Sequence, residues 1–314
     1  MAPTTRAVVL CWNNRELLPR CLDHLLASQD PAGALEVVVV DNGSTDGSVD
    51  DWAARYPGVR LIETGANLGF AGGINAGLHD LGSLESVALV NSDAFVEPGW
   101  LEPLAEALRA DERVGAACPK ILFAEPLAGG RPRVNNVGIE LGPTWEIHDR
   151  GYGEADEGQF EREEDVWGWC GAAVLLRRAY LDDVGLFDER LFMYAEDADL
   201  SWRGARRGWR YRYVPTSVVH HLHRASSGGE RTPLLDHLNR RNRLVVVTRH
   251  AGWRGATIAW MRALGGILAG IGREVLAPPL RGRRPELAGV RRRIRAAWDA
   301  ARLLAGGRPT LPGP

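Results

Sequence analysis

The sequence predicts an α/β fold: one mostly parallel sheet with helices on both faces, followed by a C-terminal helical extension. Short apolar runs alternate with amphipathic segments through the first hundred residues. Polar residues follow the ends of several of these runs, and from residue 236 onward the pattern is helical and basic. Strands that alternate with helices across short loops indicate βαβ units. We therefore expect a sheet domain at residues 1–235 and a helical extension at residues 236–314.

The individual elements follow from the hydrophobic pattern. Buried parallel strands read as continuous apolar runs, which occur at residues 7–12, 35–40, 59–63 and 86–91. Amphipathic periodicity predicts helices at residues 16–28, 48–56, 74–81 and 98–109, with a glycine-rich loop at residues 67–73. Residues 125–164 predict loops and irregular strands. Beyond them we expect helices at 178–184 and 196–207, and a strand at 209–214 that continues at 217–221.

Three polar residues, Asp41, Asn67 and Asp93, lie at or just after predicted strand ends. In open parallel sheets, ligands bind beyond the carboxyl ends of the strands. The three side chains therefore predict one polar crevice. Asp and Asn are also common as turn caps, and each position taken singly is compatible with that simpler role.

The glycine-rich segment NLGFAGGINAGL, residues 67–78, permits close backbone approach and offers a helix N-terminus to phosphate. It does not match the phosphate loop of P-loop NTPases. The dinucleotide fingerprint of dehydrogenases is also absent, because Trp12, Asn13 and Asn14 follow the first strand.

Two further groups of residues carry potential chemistry. Glu196 and Asp197 open a predicted helix in an aromatic neighbourhood, where a carboxylate could acquire a pKa suited to a general base. Acidic residues in a first turn also suit the helix dipole, so a structural role remains open. His221 and His223 share one face of a strand, either as a solvent-facing pair or with one histidine as a metal ligand opposite Asp93.

In this order, these segments resemble family 2 glycosyltransferases of the GT-A (Rossmann-like) fold, and most of all their bacterial rhamnosyltransferase branch. The resemblance covers about residues 7 to 250. The matching segments are VVLCWNN (8–14), VVVVDNGSTDGS (37–48), NLGFAGGINAGL (67–78), LVNSDAFVEPGWL (89–101), GWCGAAVLLRR (168–178), VGLFDERLFMYAEDADLSWRGARRGW (184–209) and VPTSVVHHLHRASSG (214–228).

The resemblance implies a role for each matching residue. Asp197 would be the catalytic base, with Glu196 beside it, and Asp93 with His221 would hold Mg²⁺ or Mn²⁺ on a diphosphate. Asn91 stands where many relatives have an Asp, which leaves fewer protein ligands for the metal. The expected nucleotide-sugar contacts are Asp41, Asn13, Asn67, Gly69, Asn75, Asn91 and Asp93. The expected substrate contacts are Trp169, Cys170 and Gly171. For Trp167 and Trp169, stacking on a sugar face and a place in the core are both open.

The implied reaction is inverting transfer of a hexose or deoxyhexose from a nucleoside-diphosphate sugar to a hydroxyl of a glycan or lipid-linked acceptor. The branch favours dTDP-rhamnose as donor, with UDP-galactofuranose next. A nucleotidyltransferase would need a glycine-rich basic loop after the first strand, where residues 12–18 offer only Arg15. A non-catalytic sugar-nucleotide-binding protein is the other alternative, and the presence of Asp93, Asp197 and His221 argues against it.

The charge is unevenly distributed. Residues 236–314 contain 16 Arg and four acidic residues, a balance of +12, against −14 for residues 1–235. Such a basic amphipathic extension suits either peripheral contact with anionic lipid or a homodimer interface, and we expect no nucleic acid partner. The apolar run Ala256 to Ile271 contains Arg262 and is shorter than the roughly 20 residues of a spanning helix.

The four cysteines lack metal-site spacing, which favours reduced thiols. The first residues show no secretory signal. We therefore expect a cytoplasmic protein, whose basic extension would also suit a peripheral position at the inner face of the cell membrane.

Overall fold

The computed structural model describes residues 4–28, 35–127, 130–222, 232–280 and 284–307. The chain forms two compact units. The first comprises Met1–Glu140, His148–Glu189 and Asp197–Glu230, and the second comprises Leu141–Ile147, Arg190–Glu196 and Arg231–Pro314. His223, predicted to share a face with His221, lies outside the described residues.

The first unit contains a ten-stranded mixed sheet. Its strands are β1 (Thr5–Cys11), β2 (Leu35–Asp41), β3 (Arg60–Glu63), β4 (Ser86–Asn91), β5 (Ala94–Val96), β6 (Val114–Phe123), β7 (Val134–Asn136), β10 (Glu164–Val166), β11 (Ala173–Arg177) and β12 (Arg210–His221). The main order is β10-β12-β6-β11-β4-β1-β2-β3, with β5 on β12 and β7 on β6. Strands β8 (Ile139–Leu141) and β9 (Ile147–Asp149) form a separate pair. Neighbours among β1 to β4 run parallel, as do β6 and β12.

Helices cover both faces of this sheet, as the sequence predicts. They are α1 (Leu17–Ala27), α2 (Trp52–Arg55), α3 (Gly69–Gly77), α4 (Leu101–Ala110), α5 (Arg178–Val184) and α6 (Glu196–Ala205). Successive strand residues point to opposite faces. Val9 of β1 accordingly packs in one buried cluster with residues of α1 and α4, while Val8 packs in another with residues of α3, α5 and α6. Each face therefore has its own apolar core.

Several elements differ from the prediction. The helix predicted at residues 48–56 is only the four residues of α2. Strand β6 is buried along all ten residues and was not predicted, because Pro119 and Lys120 interrupt its apolar run. Lys120 lies 3.1 Å from Asp156 and also pairs with Glu161. Burial lowers the pKa of Lys120, but hydrogen bonds to these carboxylates outweigh burial and raise it.

Helix α3 also differs from the prediction, since it begins at Gly69 inside the predicted loop. Its glycines let the helix lie directly on the sheet: a Cβ on Gly73 would overlap Leu10, and one on Gly77 would overlap Val8. The glycine-rich segment is therefore largely helical, and Gly73 and Gly77 permit its close packing on the strands.

The second unit is helical. It contains α7 (Pro233–His250), α8 (Gly252–Gly270), a π-helical segment (Ile271–Leu276), α9 (Ala277–Leu280) and α10 (Ala288–Leu304). The Thr232 hydroxyl caps α7 by accepting a hydrogen bond from the backbone N–H of Leu235 at 3.3 Å. His237 of α7 is buried 3.3 Å from Asp299 of α10, and burial lowers its pKa.

Gly252–Leu280 forms one continuous helix of 29 residues. Among the described residues it is the only helix long and apolar enough to cross a membrane, with a mean hydropathy of 1.2 over 18 residues. The helix is longer than the run seen in the sequence because it continues past Ile271 through the π-helical segment. Its exposed large residues recur at steps of three, four or eight and form an apolar stripe, defined as Trp253, Met261, Leu264, Leu268, Leu276 and Leu280.

Candidate active site

The parallel register brings the ends of three strands to one edge of the sheet. Cys11 of β1 pairs with Asp41 of β2, and Leu10 of β1 pairs with Asn91 of β4. Asp41 and Asn91 therefore flank the end of β1 at nearly the same level. The sequence predicts one crevice at the carboxyl ends of the strands for Asp41, Asn67 and Asp93, and Asp93 follows Asn91 by two residues.

Asp41 opens a tight turn after β2. Its side chain is 5% exposed, and Oδ1 accepts a hydrogen bond from the backbone N–H of Ser44 at 3.1 Å. Gly43 has φ +76°, and a Cβ there would lie 2.8 Å from the backbone of Ala66. The turn can therefore pack against the next loop only with glycine at this position.

Asn42, which sequence reasoning missed, connects this turn to the start of α3. It is 2% exposed, and its Nδ2 donates to Asn67 Oδ1 at 3.2 Å and to the carbonyl of Gly69 at 3.0 Å. Its Oδ1 accepts from the backbone N–H of Leu68 at 3.0 Å. Asn67 and Gly69 thus lie in a loop fixed next to Asp41, with Asn67 itself exposed.

The loop after β1 is bound to the same turn. Asn13 has φ +50°, and its Oδ1 accepts from the backbone N–H of Thr45 at 2.8 Å. Asn14, also missed, donates from Nδ2 to the Ser92 hydroxyl at 2.8 Å. Asn14 therefore links the end of β1 to the segment between Asn91 and Asp93.

Asn75 is buried by contacts with the segment that follows α5. It is 5% exposed, its Nδ2 donates to the Phe187 carbonyl and to Glu189 Oε1 at 3.0 Å each, and its Oδ1 accepts from the Phe187 N–H. These bonds give it a structural role in joining α3 to the segment before α6.

Asp93 and His221 meet because β5 pairs with β12. Ala94 is the register partner of His221, and His221 Nε2 lies 3.1 Å from Asp93 Oδ1. Both side chains are more than nine-tenths buried. His221 Nδ1 lies 3.2 Å from Oδ1 of Asn135, a third residue that sequence reasoning had not singled out for the metal site.

This pair provides one carboxylate and one imidazole. Across the described ranges, no group of three or more His, Cys, Asp or Glu side chains could hold a metal ion. Mg²⁺ and similar ions commonly take one or two protein carboxylates and complete their shell with phosphate oxygens and water. The residues therefore fit a divalent ion that is shared with a diphosphate.

Asp197 is the second residue of α6 and remains half-buried. Its Oδ2 accepts a hydrogen bond from the backbone N–H of Gly171 at 3.2 Å. A Cβ on Gly171 would lie 2.9 Å from the ring of Phe70, so the close approach needs glycine. The carboxylate is thus oriented by a backbone donor and still reachable from solvent.

Cys170 lies beside the same carboxylate. Its thiol pKa is raised well above its usual value, by burial and then by the charges of Asp149 and Asp197. The thiol is therefore neutral at physiological pH. Asp149 is an exposed acid close to this group that sequence reasoning missed, because it lies in the irregular region after β6.

Trp169 does not stack on a substrate in this arrangement. Its side chain is 0% exposed and packs edge-to-face on Phe187, with ring centroids 5.9 Å apart. The core alternative is therefore correct for Trp169. Trp167 is half-buried and packs edge-to-face on Trp202 at 5.1 Å.

The segment before Asp197 has an unusual backbone. Phe192, Tyr194 and Ala195 have φ values of +66°, +75° and +63°. These values lie in the left-handed region, which is unfavourable for residues other than glycine. Such residues cost about 1–3 kcal/mol each and persist only where surrounding contacts enforce them. Glu196, which follows them, is 6% exposed at the start of α6.

Comparison of the sequence with known proteins identifies the family of this chain. The sequence model of Glycosyl transferase family 2 matches residues 7–185. An N-acetylglucosaminyl-diphospho-decaprenol L-rhamnosyltransferase of Mycobacterium tuberculosis is 34% identical over 252 residues, which cover 75% of this chain and 81% of the relative.

Solved structures show the same fold. GalNAc-T7 with UDP, GalNAc and Mn²⁺ matches with a TM-score of 0.60 at 15% identity, over 78% of this chain and 47% of that chain. The mannosyltransferase PcManGT from Pyrobaculum calidifontis, in complex with GDP-Man and Mn²⁺, matches with a TM-score of 0.57 at 19% identity, over 95% and 87%. The GT-A fold predicted from the sequence is confirmed, and the chain belongs to glycosyl transferase family 2.

Proposed function

We propose that this glycosyltransferase moves L-rhamnose from dTDP-rhamnose to a lipid-linked N-acetylglucosaminyl diphosphate, with inversion at the anomeric carbon. The observation that carries the proposal is the 34% identity to a mycobacterial enzyme whose name specifies that sugar and that acceptor. Because the match covers 81% of the relative, it extends well beyond a shared nucleotide-binding core.

The donor site in this proposal lies at the carboxyl ends of β1, β2 and β4. Asp41 would contact the nucleobase, and the fixed loops around Asn13 and Asn67 would line the nucleoside. Asp93 and His221, 3.1 Å apart, would hold Mg²⁺ or Mn²⁺, whose positive charge would offset the negative charge of the leaving diphosphate. Two structural relatives that contain Mn²⁺ support a divalent ion.

Asp197 is the proposed general base. The acceptor hydroxyl attacks the anomeric carbon on the face opposite the diphosphate, and its proton passes to the Asp197 carboxylate. The Gly171 N–H orients Oδ2 for this transfer, since it donates to that oxygen at 3.2 Å. One displacement without a covalent intermediate reverses the anomeric configuration.

The direct test is a transfer assay with radiolabelled dTDP-rhamnose and a synthetic N-acetylglucosaminyl-diphospho-polyprenol, with UDP-galactofuranose as the competing donor. We expect labelled lipid from dTDP-rhamnose only, with the anomeric configuration opposite to that of the donor. Transfer from UDP-galactofuranose alone would replace the proposed donor. Release of pyrophosphate from a nucleoside triphosphate and sugar phosphate would instead favour the nucleotidyltransferase alternative.

We also propose that the second unit binds the anionic surface of the inner membrane face peripherally, where a lipid-linked acceptor resides. The apolar stripe is exposed, with Trp253 76% and Leu280 88% accessible. Arg262 lies in the middle of the same helix and pairs with Glu146 and the Thr144 hydroxyl. A helix that retains this ion pair is suited to lie in the interface, with arginines at the headgroups and apolar side chains below them.

Liposome flotation tests this surface. The double variant Leu264→Glu/Leu268→Glu should lose most binding to phosphatidylglycerol vesicles, because carboxylates would replace apolar side chains in the stripe. Ser83→Glu/Ala110→Glu adds the same charge at exposed positions of the first unit and should bind like the parent. Unchanged flotation of the stripe variant, together with dissociation of a dimer in light scattering, would favour the homodimer alternative.

A further inference from the structure

We infer that Arg241 and Asn242 of α7 are positioning residues for Asp197: they enforce the strained loop that leads into the base. The inference rests on the proposed role of Asp197. The loop is Arg190–Glu196, which belongs to the second unit with α7 and precedes Asp197 by one peptide bond. Arg241 and Asn242 would act on Asp197 through the backbone of this loop.

Asn242 contacts the loop at its most strained part. Its Nδ2 lies within hydrogen-bond distance of three backbone carbonyls, those of Leu191 at 2.7 Å, Met193 at 2.8 Å and Tyr194 at 2.8 Å. The carbonyls of Leu191 and Met193 flank Phe192, and the Tyr194 carbonyl directly precedes Ala195. Because one amide nitrogen contacts all three carbonyls, it fixes their directions relative to one another.

Arg241 supports the same loop from the adjacent position. Its Nη2 donates to the carbonyls of Arg190 at 3.2 Å and Leu191 at 2.9 Å. Its Nε donates to Asn242 Oδ1 at 2.8 Å, which orients the amide so that Nδ2 faces the loop. Both side chains are 0% exposed. Buried polar groups on a helix are retained where they have specific partners, and here the partners are loop carbonyls.

The strain explains why such contacts are needed. Phe192, Tyr194 and Ala195 would relax toward negative φ without the hydrogen bonds that enforce their conformation. Relaxation would move the start of α6, where Asp197 is the second residue. A base displaced by about 1 Å loses roughly 10²-fold in rate, although nothing at the nucleotide site has changed.

The test compares Asn242→Ala with Asn239→Ala, an asparagine on the same helix whose side chain makes no hydrogen bond within the described part of the chain. We expect Asn242→Ala to lower kcat roughly 10- to 100-fold, with the nucleotide Kd from calorimetry unchanged. Amide hydrogen exchange should accelerate at residues 190–196 and not in β1 to β4. Asn239→Ala should match the parent in all three measurements.

A second variant distinguishes backbone strain in the loop from a general loss of stability. Glycine adopts positive φ without cost, so Ala195→Gly combined with Asn242→Ala should regain part of the lost kcat. If Asn242→Ala does not fold, Asn242→Ser, which keeps one donor, replaces it in the same series. Normal kcat and normal exchange at residues 190–196 would overturn the inference, as would equal losses of kcat and nucleotide affinity without rescue.

The proposed base is tested separately. An active Asp197→Asn enzyme would remove Asp197 from its role while leaving the exchange measurement on the loop valid.

Discussion

Asp197→Asn is expected to lower the rate of glycosyl transfer by about 10²- to 10⁴-fold, the usual contribution of a general base. The amide has nearly the same shape, but it cannot accept the proton of the acceptor hydroxyl. The Asp197 carboxylate accepts hydrogen bonds from the backbone N–H groups of Gly171 and Ala198. Neither of these bonds involves Asp41, Asp93 or His221, so the dTDP affinity should be retained. Steady-state kinetics with the lipid acceptor, combined with calorimetry of dTDP binding, measure the two quantities.

Asp182→Asn is the matched control for this variant. Asp182 is an exposed aspartate of α5 that pairs with Arg178 four residues earlier, so the same chemical change should leave turnover unchanged. Near-normal turnover of Asp197→Asn would exclude Asp197 as the base. The next candidate for the base would then be Asp149, the other acid whose charge raises the pKa of Cys170.

Asp93→Ala is expected to abolish metal-dependent stabilisation by the nucleotide. A ligand at 100 times its Kd raises the free energy of unfolding by about 2.7 kcal/mol. In the parent protein, dTDP with Mn²⁺ should raise Tm accordingly, whereas dTDP with a chelator should give a smaller shift. The variant should show the same small shift with and without Mn²⁺, because its carboxylate ligand is missing. His221→Ala should behave in the same way.

The neighbouring pair Glu97 and His220 supplies the control. It has the same chemistry, with Oε1 and Nε2 2.8 Å apart, but both side chains are more than a third exposed. Glu97→Ala should therefore leave the nucleotide response intact. A full metal-dependent shift in Asp93→Ala would show that the ion is held elsewhere, and no shift in the parent would contradict the proposed donor.

Much of the first unit could be predicted from local pattern. Strand β4 was predicted with its observed bounds, and the carboxyl ends of β1 and β2 were predicted within one residue, because buried parallel strands are continuous apolar runs. Parallel order then brings Asp41 and Asn91 to the same edge without any knowledge of side-chain contacts. The prediction of one crevice therefore needed only strand direction and strand ends.

Features that depend on distant partners could not be predicted. Strand β6 carries Lys120, whose burial is explained only by Asp156 and Glu161, more than thirty residues later. Asn42 and Asn14 look like ordinary turn residues until Asn67 and Ser92 are placed beside them. The pairing of Asn242 with a loop fifty residues earlier has no signal in hydrophobic periodicity at all.

The second unit is drawn from three separate stretches of the chain, two of them short and embedded among residues of the first. It is therefore not a module with a single boundary. Deleting everything after residue 230 would remove the helices and also the side chains of Arg241 and Asn242 that bind Arg190–Glu196. Such a deletion could not separate a loss of membrane binding from a loss of loop support. A chimera that exchanges C-terminal helices between relatives would have to exchange Leu141–Ile147 and Arg190–Glu196 with them. In evolution too, these three stretches are expected to change together, and recombination at one breakpoint should seldom yield an active enzyme.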